Sequence, residues 1–210
     1  MADSWEGLGT LSTRFVERPN WLKPVKSNTQ FNRELLMFPP SAVDFTELSV
    51  NGYALSFEYG FENMEREQAF DVVDFFDDRV GRLKRFWVPL WVNMFSLYEP
   101  ITNGDSDIKI NPSLFPLTTI QTYQRVFIHT KSGDSISRRS DNVYDVTTHD
   151  SISLITPMDR DLTQDEIEVF SVLILCRFDH DVLEMAHASA GVSSATLRFA
   201  ELLGEYNNIA

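Results

Sequence analysis

The chain has 210 residues, with 31 Asp+Glu against 18 Lys+Arg and a formal charge of −13 when its four histidines are neutral. This length suits one large domain, or a main domain with an appendage, able to bury roughly 70% of its unfolded surface. The acidic balance excludes general affinity for nucleic acid, which needs a basic surface, and the single cysteine excludes a disulfide framework and a Cys-based zinc site.

Hydrophobic residues at 43% and charged residues at 23% are ordinary for a globular chain, whereas 16 Phe, 6 Tyr and 4 Trp make an aromatic surplus of 12%. No apolar run approaches the roughly 18 residues of a membrane-spanning helix. The N-terminus, Met1-Ala2-Asp3-Ser4-Trp5-Glu6-Gly7, is acidic and lacks the basic and apolar regions of a signal peptide. The expectation is a soluble protein made in a reducing cytosol, with Cys176 in the run Val172-Leu173-Ile174-Leu175-Cys176 a buried small hydrophobe.

Residues 1–40 hold few periodic segments and four prolines, Pro19, Pro24, Pro39 and Pro40. They predict an extended N-terminal arm or loop-rich layer, ahead of a β-rich domain over 41–210. Phe15, Trp21, Leu22, Phe31, Leu35, Leu36 and Phe38 still require burial, on this chain's own core or on a neighbouring copy. Trp21, Phe31 and Phe38 are therefore interface candidates.

Residues 45–50 and 53–59 alternate around Asn51-Gly52, the strongest short-range hairpin signal, with Tyr53, Leu55, Phe57 and Tyr59 on one face. The period then changes: Ala69, Val72, Val73 and Phe76 fall at i, i+3, i+4 and i+7 among acidic residues. This spacing predicts one main helix near 63–80, stopped by Gly81 as its C′ residue. Residues 82–92 follow as a bulky strand interrupted by Pro89, which implies an edge, a bulge or a bend.

The rest reads as short strands. Residues 123–130 and 135–138 flank the turn Lys131-Ser132-Gly133-Asp134, and 143–147, 151–155, 167–177, 182–187 and 192–199 follow. Strands at this spacing predict a mainly β chain, a β-sandwich or barrel with one main helix, α+β in class.

Motifs for chemistry are sparse. Asp179-His180-Asp181 with His187 is the best local metal arrangement, yet on an extended strand the histidine and its flanking acids point to opposite faces. Asn103-Gly104-Asp105-Ser106-Asp107 resembles half of a calcium loop but lacks the sixth-position glycine and terminal glutamate, so an ion at Asp105/Asp107 stays open. There is no Gly-rich phosphate loop, G-x-S-x-G elbow or H-E-x-x-H. The expectation is a protein that is not an enzyme and carries no cofactor or metal. Phe86, Trp87, Trp91 and Phe95 read either as a sugar- or base-stacking platform or as core or interface aromatics, the second being favoured. Trp87 and Trp91 thus join the interface candidates.

The helix end Phe75-Phe76-Asp77-Asp78-Arg79-Val80-Gly81-Arg82 and the following Phe86-Trp87-Val88-Pro89-Leu90-Trp91 resemble tail-tip (distal tail, baseplate-type) structural proteins of long-tailed bacteriophages. Pro19-Asn20-Trp21-Leu22-Lys23-Pro24-Val25 is similar to the P-N-W-x-x-P-V element opening those chains. Arg177 to Glu184 follow an R-x-D-x-D-x-x-E pattern, residues 191–202 are similar to the closing strand, and 31–38 depart from the T…EQR pattern of many relatives. The resemblance implies a non-enzymatic, cofactor-free virion protein, assembled in the host cytoplasm into a homo-oligomeric ring, often a hexamer. Such a ring joins the tail tube to hub and tip proteins around the DNA channel, and the arm of one subunit would pack on the next. The −13 charge would then make a channel wall that DNA slides past, since binding scales with neutralised phosphates. The competing expectations are a carbohydrate-binding β-sandwich module for host attachment and a hydrolase with an acidic cleft.

Overall fold

The structure is a computed structural model that describes residues 4–5, 15, 17–19, 26–36, 46–112, 125–146, 148–189 and 191–202. Its described residues are mainly β with one α-helix, as the alternating patterns predict. No helix among them is long and apolar enough to cross a membrane. The chain divides into two compact units, Met1–Arg18 with Arg85–Leu175 and Pro19–Lys84 with Cys176–Ala210.

The first unit holds β1 (Ser4–Trp5), β4 (Phe86–Pro89), β5 (Asp107–Ile110), β6 (Arg125–Thr130), β7 (Ser135–Val146), β8 (His149–Leu154) and β9 (Ile167–Phe178) up to Leu175. Its antiparallel order is β9-β6-β7-β8-β5, with β4 beside β9 and β1 parallel to β7. Side chains on a strand alternate between faces, so the near-continuous burial of β6 and β9 means that both faces are covered. The aromatic surplus supplies much of that cover. Trp91 meets Phe127 edge-on at 5.2 Å and Phe95 meets Phe170 at 5.3 Å. The Phe15 N–H donates to the Trp87 carbonyl at 2.8 Å, fixing part of the N-terminal segment to this unit.

The predicted 131–134 turn is present, with Gly133 at φ 93° and the Asp134 N–H donating to Thr130 Oγ1. The separate strands predicted at 135–138 and 143–147 are one strand, β7, whose register shifts between Ser140 and Asn142. The bulge lets one strand serve two neighbours in succession without a turn.

The second unit holds β2 (Lys26–Leu36), β3 (Thr46–Glu65), α1 (Arg66–Asp78), β10 (Met185–Ser189), β11 (Val192–Glu201) and the last residues of β9. β3 pairs with β2 on one side and β11 on the other, and β11 also takes β10 and Cys176–Phe178 of β9. Phe57, Tyr59 and Phe199 form a buried triad with ring centroids 5.1–5.3 Å apart.

The hairpin expected at Asn51-Gly52 is not formed. β3 runs straight through, and its partner is β2, with Phe31 opposite Tyr53 and Arg33 opposite Ser49. Residues 50–52 therefore lie opposite Asn32 alone, as a bulge in β3. The helix is also shorter than 63–80. Met64 and Glu65 remain paired with β11, so sheet hydrogen bonds outcompete the first predicted turn.

Candidate interaction site at the helix end

Helix α1 buries Ala69, Val72 and Phe76. Its last turn packs on aromatic rings: Phe76 lies 4.8 Å and Phe75 6.2 Å from Phe178, which stacks on Phe199 at 5.6 Å. The helix ends in a Schellman motif, in which the Gly81 N–H donates to the Phe76 carbonyl and the Val80 N–H to that of Asp77. Gly81 is thus C″, and the C′ position predicted for it is held by Val80 at φ 53°. A left-handed backbone at a β-branched residue is strained by about 1–2 kcal/mol.

The displacement of Gly81 by one position has a local cause. A Cβ on Gly81 would lie 2.7 Å from Asp181 Oδ1 and 3.1 Å from Asp181 Cα, so any other residue there would have to displace Asp181 as well as hold a left-handed backbone. Asp181 Oδ1 also accepts the Arg82 N–H at 2.9 Å, while its Oδ2 lies 3.4 Å from Arg82 Nε. The turn is closed by Lys84, whose Nζ donates to the Asp78 carbonyl at 2.8 Å. Arg79, buried against the Phe75 ring, pairs with Asp78 and holds that carboxyl below its ordinary range. Three apolar side chains flank this junction in the open: Val80 is 53%, Leu83 77% and Val182 70% exposed.

Beside the junction lies a cleft of ≈ 790 Å³ lined by Phe76, Phe178, His180, Met185, Leu197 and Arg198, among others. His180 Nε2 is 3.3 Å from Arg198 Nη1, and Arg198 Nε donates to Glu58 at 3.0 Å. The lining mixes apolar side chains with polar and charged ones, Asp181, Glu184 and Ser194 among them, a composition that suits contact with another surface.

The two segments weighed as metal arrangements, neither of them expected to hold an ion, make other contacts. Residues 179–184 follow the end of β9 as a turn, where Asp181 serves Arg82 and His187 Nδ1 lies 2.8 Å from Ser193 Oγ. In the 103–107 loop, Asp105 Oδ2 accepts the Thr102 N–H and Asp161 Oδ1 accepts that of Asn103, both at 2.7 Å. Among the described residues no group of three His, Cys, Asp or Glu could hold an ion. Cys176 is fully buried, and burial together with the Glu201 carboxylate pushes its thiol well above the ordinary range.

One hydroxyl–imidazole–carboxylate series exists in the first unit. His129 Nδ1 lies 3.0 Å from Ser135 Oγ and its Nε2 3.9 Å from Glu168. Ser135 is buried, however, and Glu168 accepts from Arg18 at 2.6 Å, which holds its carboxyl below the ordinary range. The series joins Arg18 to the hairpin, where Arg18 also covers Trp91.

Of the interface candidates, Trp87 and Trp91 are buried in the first unit at 5% and 3% exposure. Phe31 lies in β2 opposite Tyr53. Trp21 and Phe38 fall outside the described residues. Val80, Leu83 and Val182 are not singled out by the sequence; the alternation of apolar and basic residues in Arg79-Val80-Gly81-Arg82-Leu83-Lys84 was the available signal. No protein-family model matches this sequence, and no curated protein matches it.

Proposed function

We propose that the chain is a structural protein of a phage tail tip, one subunit of a homo-oligomeric ring joining tail tube to tip around the DNA channel. In this reading it is a virion component with no catalytic role and no cofactor. The observation that carries it is the meeting of two motifs about a hundred residues apart. The Gly81-Arg82 pair after the helix closes on Asp181 of the R-x-D-x-D-x-x-E segment, through a close approach that the absence of a Cβ at Gly81 permits. The third motif, Phe86–Pro89, is buried at all four positions, which suits a structural rather than a ligand-binding use. The buried Trp87 and Trp91 also lend no support to a sugar platform.

The charge fits a channel that DNA passes without sticking. Acidic residues outnumber basic ones by 15 to 9 in the first unit and 16 to 9 in the second, so neither unit is a cationic half. Arg138, one of three arginines that would make a lumen adhesive together with Arg85 and Arg139, is buried and paired with Asp159 at 3.0 Å.

Negative-stain microscopy with native mass measurement on the purified chain tests the reading. The expected result is a closed ring whose mass is a multiple of 24.1 kDa. A particle that stays monomeric at every concentration, and is missing from tail preparations, overturns it.

A further inference from the structure

We infer that the turn at the end of α1 is a docking knob for a second copy of the chain, and that the acidic stripe of the neighbour's α1 receives it. This deepens the ring reading and rests on it. The first observation is the exposed apolar group Val80, Leu83 and Val182, set around a junction fixed by Asp181. Exposed apolar residues scattered singly need no explanation, but three around one pinned turn form a preorganised contact. Residues 79–84 carry three basic and no acidic residues in a chain of charge −13. Arg82 and Lys84 remain about half exposed, and their ion pairs with Asp181 and Asp78 are the weak, solvated kind.

The second observation is the outer face of the same helix. Glu67, Phe70, Asp71, Asp74, Asp77 and Asp78 recur at helical spacing and are all exposed. The stripe carries one apolar ring, Phe70, at 52% exposure, with Glu67 and Asp74 one turn to either side and the Arg66 guanidinium 5.4 Å over its face. Two copies of charge −13 repel each other generally, so they approach most readily where a basic surface meets an acidic one. Knob and stripe are such a pair. The knob lies at the C-terminal end of the helix, whereas Glu67, Phe70 and Asp71 lie in its N-terminal half and Asp74 just past its middle. One copy's knob thus reaches the next copy's stripe in a head-to-tail contact, which a ring closes. Leu83 and Phe70 supply the apolar centre, and Arg82 and Lys84 face Asp71 and Asp74.

The test is native mass and sedimentation of the full chain at low and high salt, with folding checked by circular dichroism. The variants are Leu83→Asp, the pair Arg82→Glu with Lys84→Glu, and the pair Asp71→Lys with Asp74→Lys. Leu83, Asp71 and Asp74 are exposed. Because Arg82 and Lys84 also pair with Asp181 and Asp78, a further pair, Arg82→Gln with Lys84→Gln, is included to weaken association without setting like charges against the turn. Each is expected to weaken self-association at least tenfold, and mixing the two charge-reversed pairs should restore it. Wild-type association with all the variants unchanged overturns the docking proposal and leaves the ring reading standing. A wild type that stays monomeric overturns both. A wild-type mass that stops at two copies, with the rescue intact, keeps the contact and overturns the ring.

Discussion

Two stretches on either side of Arg85 treat their apolar residues in opposite ways. From Phe86 to Trp91 the chain buries its large side chains: Trp87 lies beneath Arg125 at 5.1 Å, and Trp91 lies edge-on to Phe127 and His129. From Val80 to Leu83 the chain holds a strained backbone and leaves the apolar side chains in the open. The first stretch contributes to stability through buried area. The second gives up stability in the isolated chain, and such an arrangement persists where the surroundings over-determine it. Residues in one short span of sequence can therefore serve folding and contact separately.

The largest effect should come from the buried side. Trp91→Ala is expected to cost about 3–5 kcal/mol, through lost contact with Phe127 and the cavity left behind. Trp91→Phe sharpens the point. Among the described residues the Trp91 Nε1 is a buried donor with no acceptor, so removing it also removes a desolvation penalty. Chemical denaturation should give a much smaller loss for Phe than for Ala. Equal losses would mean that the indole nitrogen has a partner that matters.

Next comes the hinge of the comparison, Gly81. Gly81→Ala is expected to cost about 2 kcal/mol, from the left-handed backbone and the approach to Asp181. The cost should shrink when Asp181→Gly is combined with it, because part of the penalty belongs to the pair. Additive losses in that cycle would place the whole penalty in the backbone conformation.

What was legible in the sequence depended on how local the deciding interaction was. Helix α1 shows in the spacing of Ala69, Val72 and Phe76, because helical periodicity is written within one segment. β2 does not show: Lys26–Leu36 has apolar residues only at Phe31, Leu35 and Leu36, and its strand character comes from pairing with β3. The Asn-Gly signal pointed to a hairpin turn, and the chain instead forms a bulge there. Turn or bulge was decided by a partner strand lying upstream among prolines. At the helix stop, Gly81 marked the right place with the wrong role, since part of its need for glycine comes from Asp181, distant in sequence. The exposure of Val80, Leu83 and Val182 is likewise tertiary, and the one local trace of it is the alternation of apolar and basic residues over 79–84.

The smallest predicted effect discriminates best, because its sign is opposite to the others. Val80 occupies the C′ position that glycine usually fills, and its side chain is half exposed, so little packing is lost with it. Relief of the left-handed backbone is about 1–2 kcal/mol, offset by the greater freedom of glycine in the unfolded chain, about 0.5–1 kcal/mol. Val80→Gly should therefore stabilise the isolated chain slightly, raising its melting temperature by roughly 2–4 °C for each kcal/mol gained. If Val80 is held there for contact, the same variant should weaken self-association while its fold becomes more stable. Thermal melting and native mass on one sample read both at once. A variant that melts lower would show that the turn is not strained at Val80. One that melts higher with association intact would show that the strain serves something other than the knob.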